Sequence, residues 1–259
     1  MELHSQYKGI GECKAGTKMA MKGQGKLIPS EIPRSKPIAR GGWGNWELGA
    51  WREKPWHARL VGSTLTGLAR FVTGVRVRWV DCQPDTCQRV YFANHTSHLD
   101  PVVLWSALPP AVRALTRPVA AKDYWTAGFV RRYLAIQVFN AILIDRMEIR
   151  VNRNPVDVML QELGDRHSLI VFPEGGRTPG PEVAPFKSGL YYLCKRRPEL
   201  ELVPVYIGNM NRILPRGEVL PVPMLASVTF GPPMWLEARE SKTEFLERAR
   251  QAVERLREI

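Results

Sequence analysis

The 259-residue sequence predicts an α/β fold: a largely parallel, twisted sheet flanked by helices and preceded by an N-terminal amphipathic helix. Three observations predict it. Short β-branched and aromatic runs recur along the chain with helical stretches between several of them, the pattern of crossover units in a parallel sheet. The polar turns at His95, Arg146 and Glu174–Arg177 each follow one of these runs, as expected where ligands gather at the carboxyl ends of strands. With 44% hydrophobic residues the chain can bury a substantial core, which excludes wholesale disorder.

Residues 1–56 form a basic, tryptophan-containing tail with scattered Gly, Lys and Pro. Two readings stand for it, a flexible solvated tail or a segment associated with a membrane surface. Trp43, Trp46, Trp51 and Trp56 suit a lipid interface, where the indole is apolar with one polar end, and equally suit packing onto the domain. Residues 57–259 form the folded domain. Within it, Leu60, Val61, Leu65, Leu68, Ala69, Phe71 and Val72 recur at near-helical spacing across 57–73. That segment is too short, and too interrupted by Arg59 and Arg70, to span a bilayer, and reads as an amphipathic helix on the bilayer or on the domain.

The core, 74–259, starts where Val75, Val77 and Trp79 alternate with Arg76 and Arg78, a half-buried strand. Strand-like runs follow at Val90–Ala93, Pro118–Ala121, Ala141–Ile144, Ser168–Phe172, Leu202–Ile207 and Ala226–Phe230. Asp100-Pro101 reads as a helix start with Asp at the cap. Asn154-Pro155 opens another helix and Leu163-Gly164 closes it; a further one runs from Phe186 to Arg196. Ser241-x-x-Glu244 is a capping box ahead of a C-terminal amphipathic helix.

The formal charge of +12 invites a polyanionic partner. No nucleic-acid module is recognisable and the aromatics are not interleaved with the basic residues, so nucleic acid is not expected. An anionic membrane surface and phosphorylated or CoA-type substrates account for the charge equally well. No apolar run approaches the roughly 20 residues of a membrane span, and the N-terminus has no signal-peptide core. The expectation is a peripheral protein on the cytoplasmic face of a membrane. Cys13, Cys82, Cys87 and Cys194 contain no CxxC pair, which suits reduced, structural thiols.

The chemistry concentrates at Phe92-Ala93-Asn94-His95-Thr96-Ser97-His98-Leu99-Asp100-Pro101. On one continuous helix, residues five apart would point about 140° away from each other. With His95 leaving a strand and Asp100 starting a helix, the carboxylate can fold back onto the imidazole. An imidazole held in one tautomer by a carboxylate can act as a general base on a hydroxyl.

Asn94-His95-x4-Asp100 resembles the first motif of the glycerolipid acyltransferases, the family of the 1-acylglycerol-3-phosphate O-acyltransferases. Three further stretches follow in the family's order: Ile142-Leu143-Ile144-Asp145-Arg146, Phe172-Pro173-Glu174-Gly175-Gly176-Arg177-Thr178 and Leu202-Val203-Pro204-Val205-Tyr206-Ile207. The resemblance implies that His95 and Asp100 are catalytic. It implies transfer of a fatty acyl group from acyl-CoA or acyl-carrier protein, as co-substrate, to the sn-2 hydroxyl of a lysophospholipid acceptor, with no metal or bound cofactor. It assigns Glu174, Gly175 and Arg177 to acceptor binding. By the same resemblance Arg146 would be a second phosphate contact, the other reading being a surface ion pair with Asp145; Gly176 belongs to the same glycine turn, Lys187 would add positive charge, and Val203-Pro204-Val205 would shape the acyl side or serve equally as a plain buried strand. The family commonly has Thr where Gly176 stands, a departure that bears on the acceptor. The alternatives are another lysophospholipid or an aminolipid as acceptor, and, from a different class, a metal-dependent hydrolase with His95, His98 and Asp100 as ligands.

Overall fold

Among the described residues, seven strands form one sheet in the order β1-β7-β6-β2-β5-β3-β4. The computed structural model describes residues 55–145, 154–178, 180, 182–213 and 225–259. In chain order these hold α1 (Trp56–Thr73), β1 (Arg76–Trp79), β2 (Arg89–Ala93), α2 (Asp100–Ala107), α3 (Pro110–Leu115), β3 (Thr116–Ala121) and α4 (Lys122–Thr126). There follow α5 (Phe129–Tyr133), running into a π-helical turn at Leu134–Val138, β4 (Ile142–Ile144), α6 (Pro155–Leu163) and β5 (Ser168–Val171). The chain ends with α7 (Gly189–Arg196), β6 (Glu201–Gly208), α8 (Met210–Ile213), β7 (Ser227–Phe230) and α9 (Lys242–Arg255).

Every strand pairing is parallel except β6 with β7. The two central strands explain themselves from composition. In β2 all five residues are buried, and β5 is buried throughout, because helices cover both faces. One face carries the cluster of Val90, Phe92, Leu163, Leu169, Leu193 and Phe245 under α6, α7 and α9. The other carries Tyr91, Leu104, Trp105, Ile170, Val203 and Phe230 under α2 and its neighbours. The edge strand β1 keeps Arg76 and Arg78 exposed and Val77 and Trp79 half-buried, the expected alternation.

The helix signals act as their chemistry dictates. The Asn154 side chain accepts from Val156 N at 3.0 Å, and Gly164, at φ 50°, takes the left-handed turn that ends α6. The Ser241–Glu244 capping box is formed in both directions. Asp100 departs from the expectation. It is the first residue of α2, and its carboxylate turns back onto the preceding loop rather than capping the helix's own amides.

Helices α3, α4 and α5 interrupt what the sequence alone reads as connections; each has six residues or fewer, too short for a periodic apolar pattern. Helix α1 packs through small residues. A Cβ on Gly62 would lie 3.4 Å from Val138 Cγ1 and 3.6 Å from Trp105 Cη2, so this glycine lets α1 approach α2 and the π turn. Its outward side carries Trp56, Leu60, Leu68 and Phe71, all exposed. Cys82 and Cys194 are free thiols. Among the described residues no helix is long and apolar enough to cross a membrane. The tail with Trp43, Trp46 and Trp51 lies outside the described residues, as does Arg146.

Candidate active site

Because β2 pairs with both β5 and β6, the turns leaving their carboxyl ends lie side by side. Asn94, the first residue after β2, is buried and continues the ladder with its side chain. Its Nδ2 donates to Ile207 O at 3.0 Å and its Oδ1 accepts from Ile207 N at 2.8 Å. This pair pins the strand end from which His95 departs.

His95 Nδ1 lies 2.9 Å from Asp100 Oδ2, and the same oxygen accepts from Thr96 N at 2.6 Å and Ser97 N at 2.8 Å. An oxygen already accepting two N–H bonds can only accept a third, so Nδ1 carries the proton and Nε2 presents its lone pair. The Asp100 side chain is fully buried and that of His95 is 14% exposed. Burial of an ionised carboxylate is costly unless it is paired and hydrogen-bonded, and three donors on one oxygen supply that compensation.

Glu174 reaches the His95 backbone, not the cavity. Its Oε1 accepts from His95 N at 2.7 Å; its Oε2 accepts from the Thr178 hydroxyl and from Ala184 N at 3.2 Å. Thr178 N in turn donates to His95 O at 2.8 Å. Both backbone polar groups of His95 are therefore held by the 174–178 turn. The geometry does not support acceptor contact by Glu174: its carboxylate is buried with both oxygens engaged.

Gly175 has φ 69°, a left-handed conformation, and a Cβ there would lie 2.7 Å from Lys187 Cδ. The turn thus needs glycine for its backbone and for the lysine stem crossing it. Lys187 is anchored at its own backbone, where its N–H donates to Pro173 O at 2.8 Å. Gly176 is exposed, and a Cβ on it would meet nothing within 4 Å.

A cavity of about 410 Å³ opens where these turns meet the carboxyl ends of β3, β4 and β5. Its polar lining includes His95, His98, Gly175, Gly176, Arg177 and Lys187; its apolar lining includes Val119, Ile144, Met159, Val171, Leu190 and Leu193. The structure therefore gathers the expected Gly175, Gly176, Arg177 and Lys187 around His95. Val203, Pro204 and Val205 are instead buried in β6 and do not line the cavity, so they shape the sheet rather than the acyl side.

His98 stacks on Tyr124, ring centroids 4.7 Å apart, and the Arg131 guanidinium sits 4.6 Å from the Tyr124 centroid. Burial lowers the His98 pKa, and the positive charges of Arg177 and Arg131 lower it further. His98 is thus kept neutral. Among the described residues no group of three or more His, Cys, Asp or Glu could hold a metal ion.

Sequence reasoning gave no role to Asn94, Thr178 or the wall of Asp123, Tyr124 and Trp125. Asn94 and Thr178 flank the two motifs directly, so adjacency was their signal; the aromatic wall had none.

A family model described as Acyltransferase matches residues 75–208. The chain is 27% identical over 134 residues to a Mycoplasma pneumoniae protein named probable 1-acyl-sn-glycerol-3-phosphate acyltransferase, covering 48% of this chain and 47% of that protein. It is 25% identical over 184 residues to the 1-acyl-sn-glycerol-3-phosphate acyltransferase of Limnanthes douglasii, covering 68% and 60%. The chain thus spans about half to three-fifths of the length of these curated relatives. The fold is similar to the crystal structure of the 1-acyl-sn-glycerophosphate acyltransferase from Thermotoga maritima. The TM-score is 0.63 at 17% identity, over 80% of this chain and 83% of that one.

Proposed function

The chain belongs to the acyltransferase family, and from that premise we propose that it moves a fatty acyl group from a thioester to the sn-2 hydroxyl of 1-acyl-glycerol-3-phosphate, giving phosphatidic acid. The donor is acyl-CoA or acyl-carrier protein. The observation that carries this reading is the His95–Asp100 pair, 2.9 Å apart, on a cavity that combines Arg177 and Lys187 with an apolar wall. A molecule with a phosphate, a free hydroxyl and an alkyl chain uses all three.

His95 Nε2 accepts the hydroxyl proton as that oxygen attacks the thioester carbonyl. A C–O bond forms, the carbonyl oxygen becomes an oxyanion, and Asp100 stabilises the imidazolium. Collapse of the tetrahedral species re-forms the carbonyl and breaks the C–S bond, and the imidazolium proton goes to the leaving thiolate. No covalent acyl-enzyme forms and no bound cofactor takes part. Arg177 offers a planar, charge-assisted pair of bonds to the phosphate, with Lys187 as a second charge across the glycine turn. Arg146 remains a proposed additional contact. Glu174 acts through His95, by holding its backbone so that the ring keeps its register with Asp100.

A second reading within the family is favoured by Gly176. With nothing within 4 Å of its would-be Cβ, the turn has room for an acceptor headgroup larger than a phosphate monoester.

The test is thioester consumption by the purified chain with acyl-CoA and a panel of lysolipids, beside His95→Ala. Turnover of lysophosphatidic acid, falling roughly 10²–10⁴-fold in the variant, is the expected result. Wild-type turnover by His95→Ala would remove the mechanism. Turnover of another acceptor alone would keep the chemistry and replace the acceptor.

A further inference from the structure

Helix α5 presents a tip that the fold's core does not use. Phe129 is 84% exposed and Val130 66% exposed, next to each other at the start of the helix. Arg131 and Arg132 follow immediately and are exposed as well. Gly128, at φ 121°, makes the bend that turns this tip outward, and its amide donates to Thr126 O at 2.9 Å, tying the tip to the end of α4.

Position matters more than exposure. Helix α4 supplies Asp123, Tyr124 and Trp125 to the cavity wall, and Arg131 lies over the Tyr124 ring. At its other end α5 is joined to α1, because the Tyr133 hydroxyl lies 2.7 Å from His57 Nδ1 and the two rings stack. Trp56, itself 76% exposed, meets His57 edge-on. An apolar and cationic strip therefore runs from the N-terminal end of α1 through Tyr133 to the tip of α5, beside the cavity wall.

We propose that the α5 tip is a bilayer-contacting element: Phe129 and Val130 enter the interface of an anionic membrane, Arg131 and Arg132 meet lipid phosphates, and Trp56 extends the contact. The cavity wall that carries Tyr124 then faces lipid. Charge and size favour this occupant. The sequence of α5, Phe-Val-Arg-Arg-Tyr, contains no acid, so it complements an anionic surface. Arginine stems can lie along the acyl boundary while their heads stay with the phosphates. A stable protein partner needs about 800 Å² on each side, more than a two-residue tip supplies. A symmetric contact with a second copy would set these arginines against themselves.

Only the identity of what enters the cavity rests on the acyltransferase reading; vesicle binding is measured without substrate. The full chain is sedimented with phosphatidylcholine vesicles, with and without phosphatidylglycerol. The double variant Phe129→Ser with Val130→Ser should lose about tenfold or more in partition coefficient, because two apolar side chains no longer enter the interface. Arg132→Gln should lose about fivefold on phosphatidylglycerol-containing vesicles and little on neutral ones. Trp235→Ser, at a residue 46% exposed in the connection between β7 and α9, should bind as wild type. Turnover of a dispersed short-chain acceptor by the double variant should stay at the wild-type level while turnover of a vesicle-borne one falls. Unchanged partition in the double variant overturns the proposal, as does an equal loss in Trp235→Ser. A change in oligomeric state with unchanged partition would assign the tip to self-association instead.

Discussion

The two turns that meet at the cavity are built on opposite principles. In the turn from Asn94 to Asp100 the polar groups close on one another. Asn94 is spent on Ile207, the His95 backbone on Glu174 and Thr178, and one Asp100 oxygen on three donors. Across the cavity, Gly176 is open on its side-chain side, and Arg177 and Lys187 line the cavity. A general base works only while one tautomer and one orientation persist, so its surroundings must over-determine it. An anion site works only while its donors are unspent.

Asp100→Asn breaks the over-determined side most directly. The amide oxygen would keep the three N–H bonds that converge on one atom, but the negative charge that stabilises the imidazolium is lost; kcat should fall roughly a hundredfold or more, with the acceptor KM near wild type in steady-state assays. Glu174→Gln sharpens the distinction between touching substrate and holding the base. One carboxylate oxygen becomes a donor facing donors, so kcat should fall about ten- to a hundredfold and the melting temperature should drop, while KM stays. A raised KM with unchanged kcat would return Glu174 to the acceptor site.

Arg177→Ala tests the open side and should read in reverse: acceptor KM up about tenfold, from the loss of a charge-assisted pair, with little change in stability. If stability falls as far as it does in Glu174→Gln, Arg177 belongs to the scaffold and the contrast fails. The smallest effect is at His98. Its pKa is lowered in the folded chain, so below the unfolded value of about 6.5 the unfolded chain binds a proton that the native one resists. Stability is therefore whole above that pH and is lost as pH falls toward the depressed native pKa. His98→Asn should flatten this slope in unfolding titrations between about pH 5 and pH 7; an identical slope would mean that His98 does not contribute.

Much of this was legible along the chain. The His95–Asp100 pair follows from a strand ending and a helix starting five residues apart, and Asn154 and Ser241 announce their helices, because capping and strand ends are local chemistry. Gly175 was legible as part of a glycine turn, though its need for φ 69° and for the Lys187 stem was not. Glu174 was placed in the right turn and aimed at the wrong partner. Its target is 79 residues away, and only the pairing of β2 with β5 brings the two together.

The sequence by itself determined the parallel α/β architecture, the turns that carry the chemistry and the family, since periodicity, capping and motif spacing act within a few residues. Tertiary structure alone decided which way Glu174 points, that Tyr124 forms the wall beside His98, and that Phe129 is left outside. Each of these depends on which strands and helices become neighbours, and that is settled by burying two apolar faces of one sheet at once.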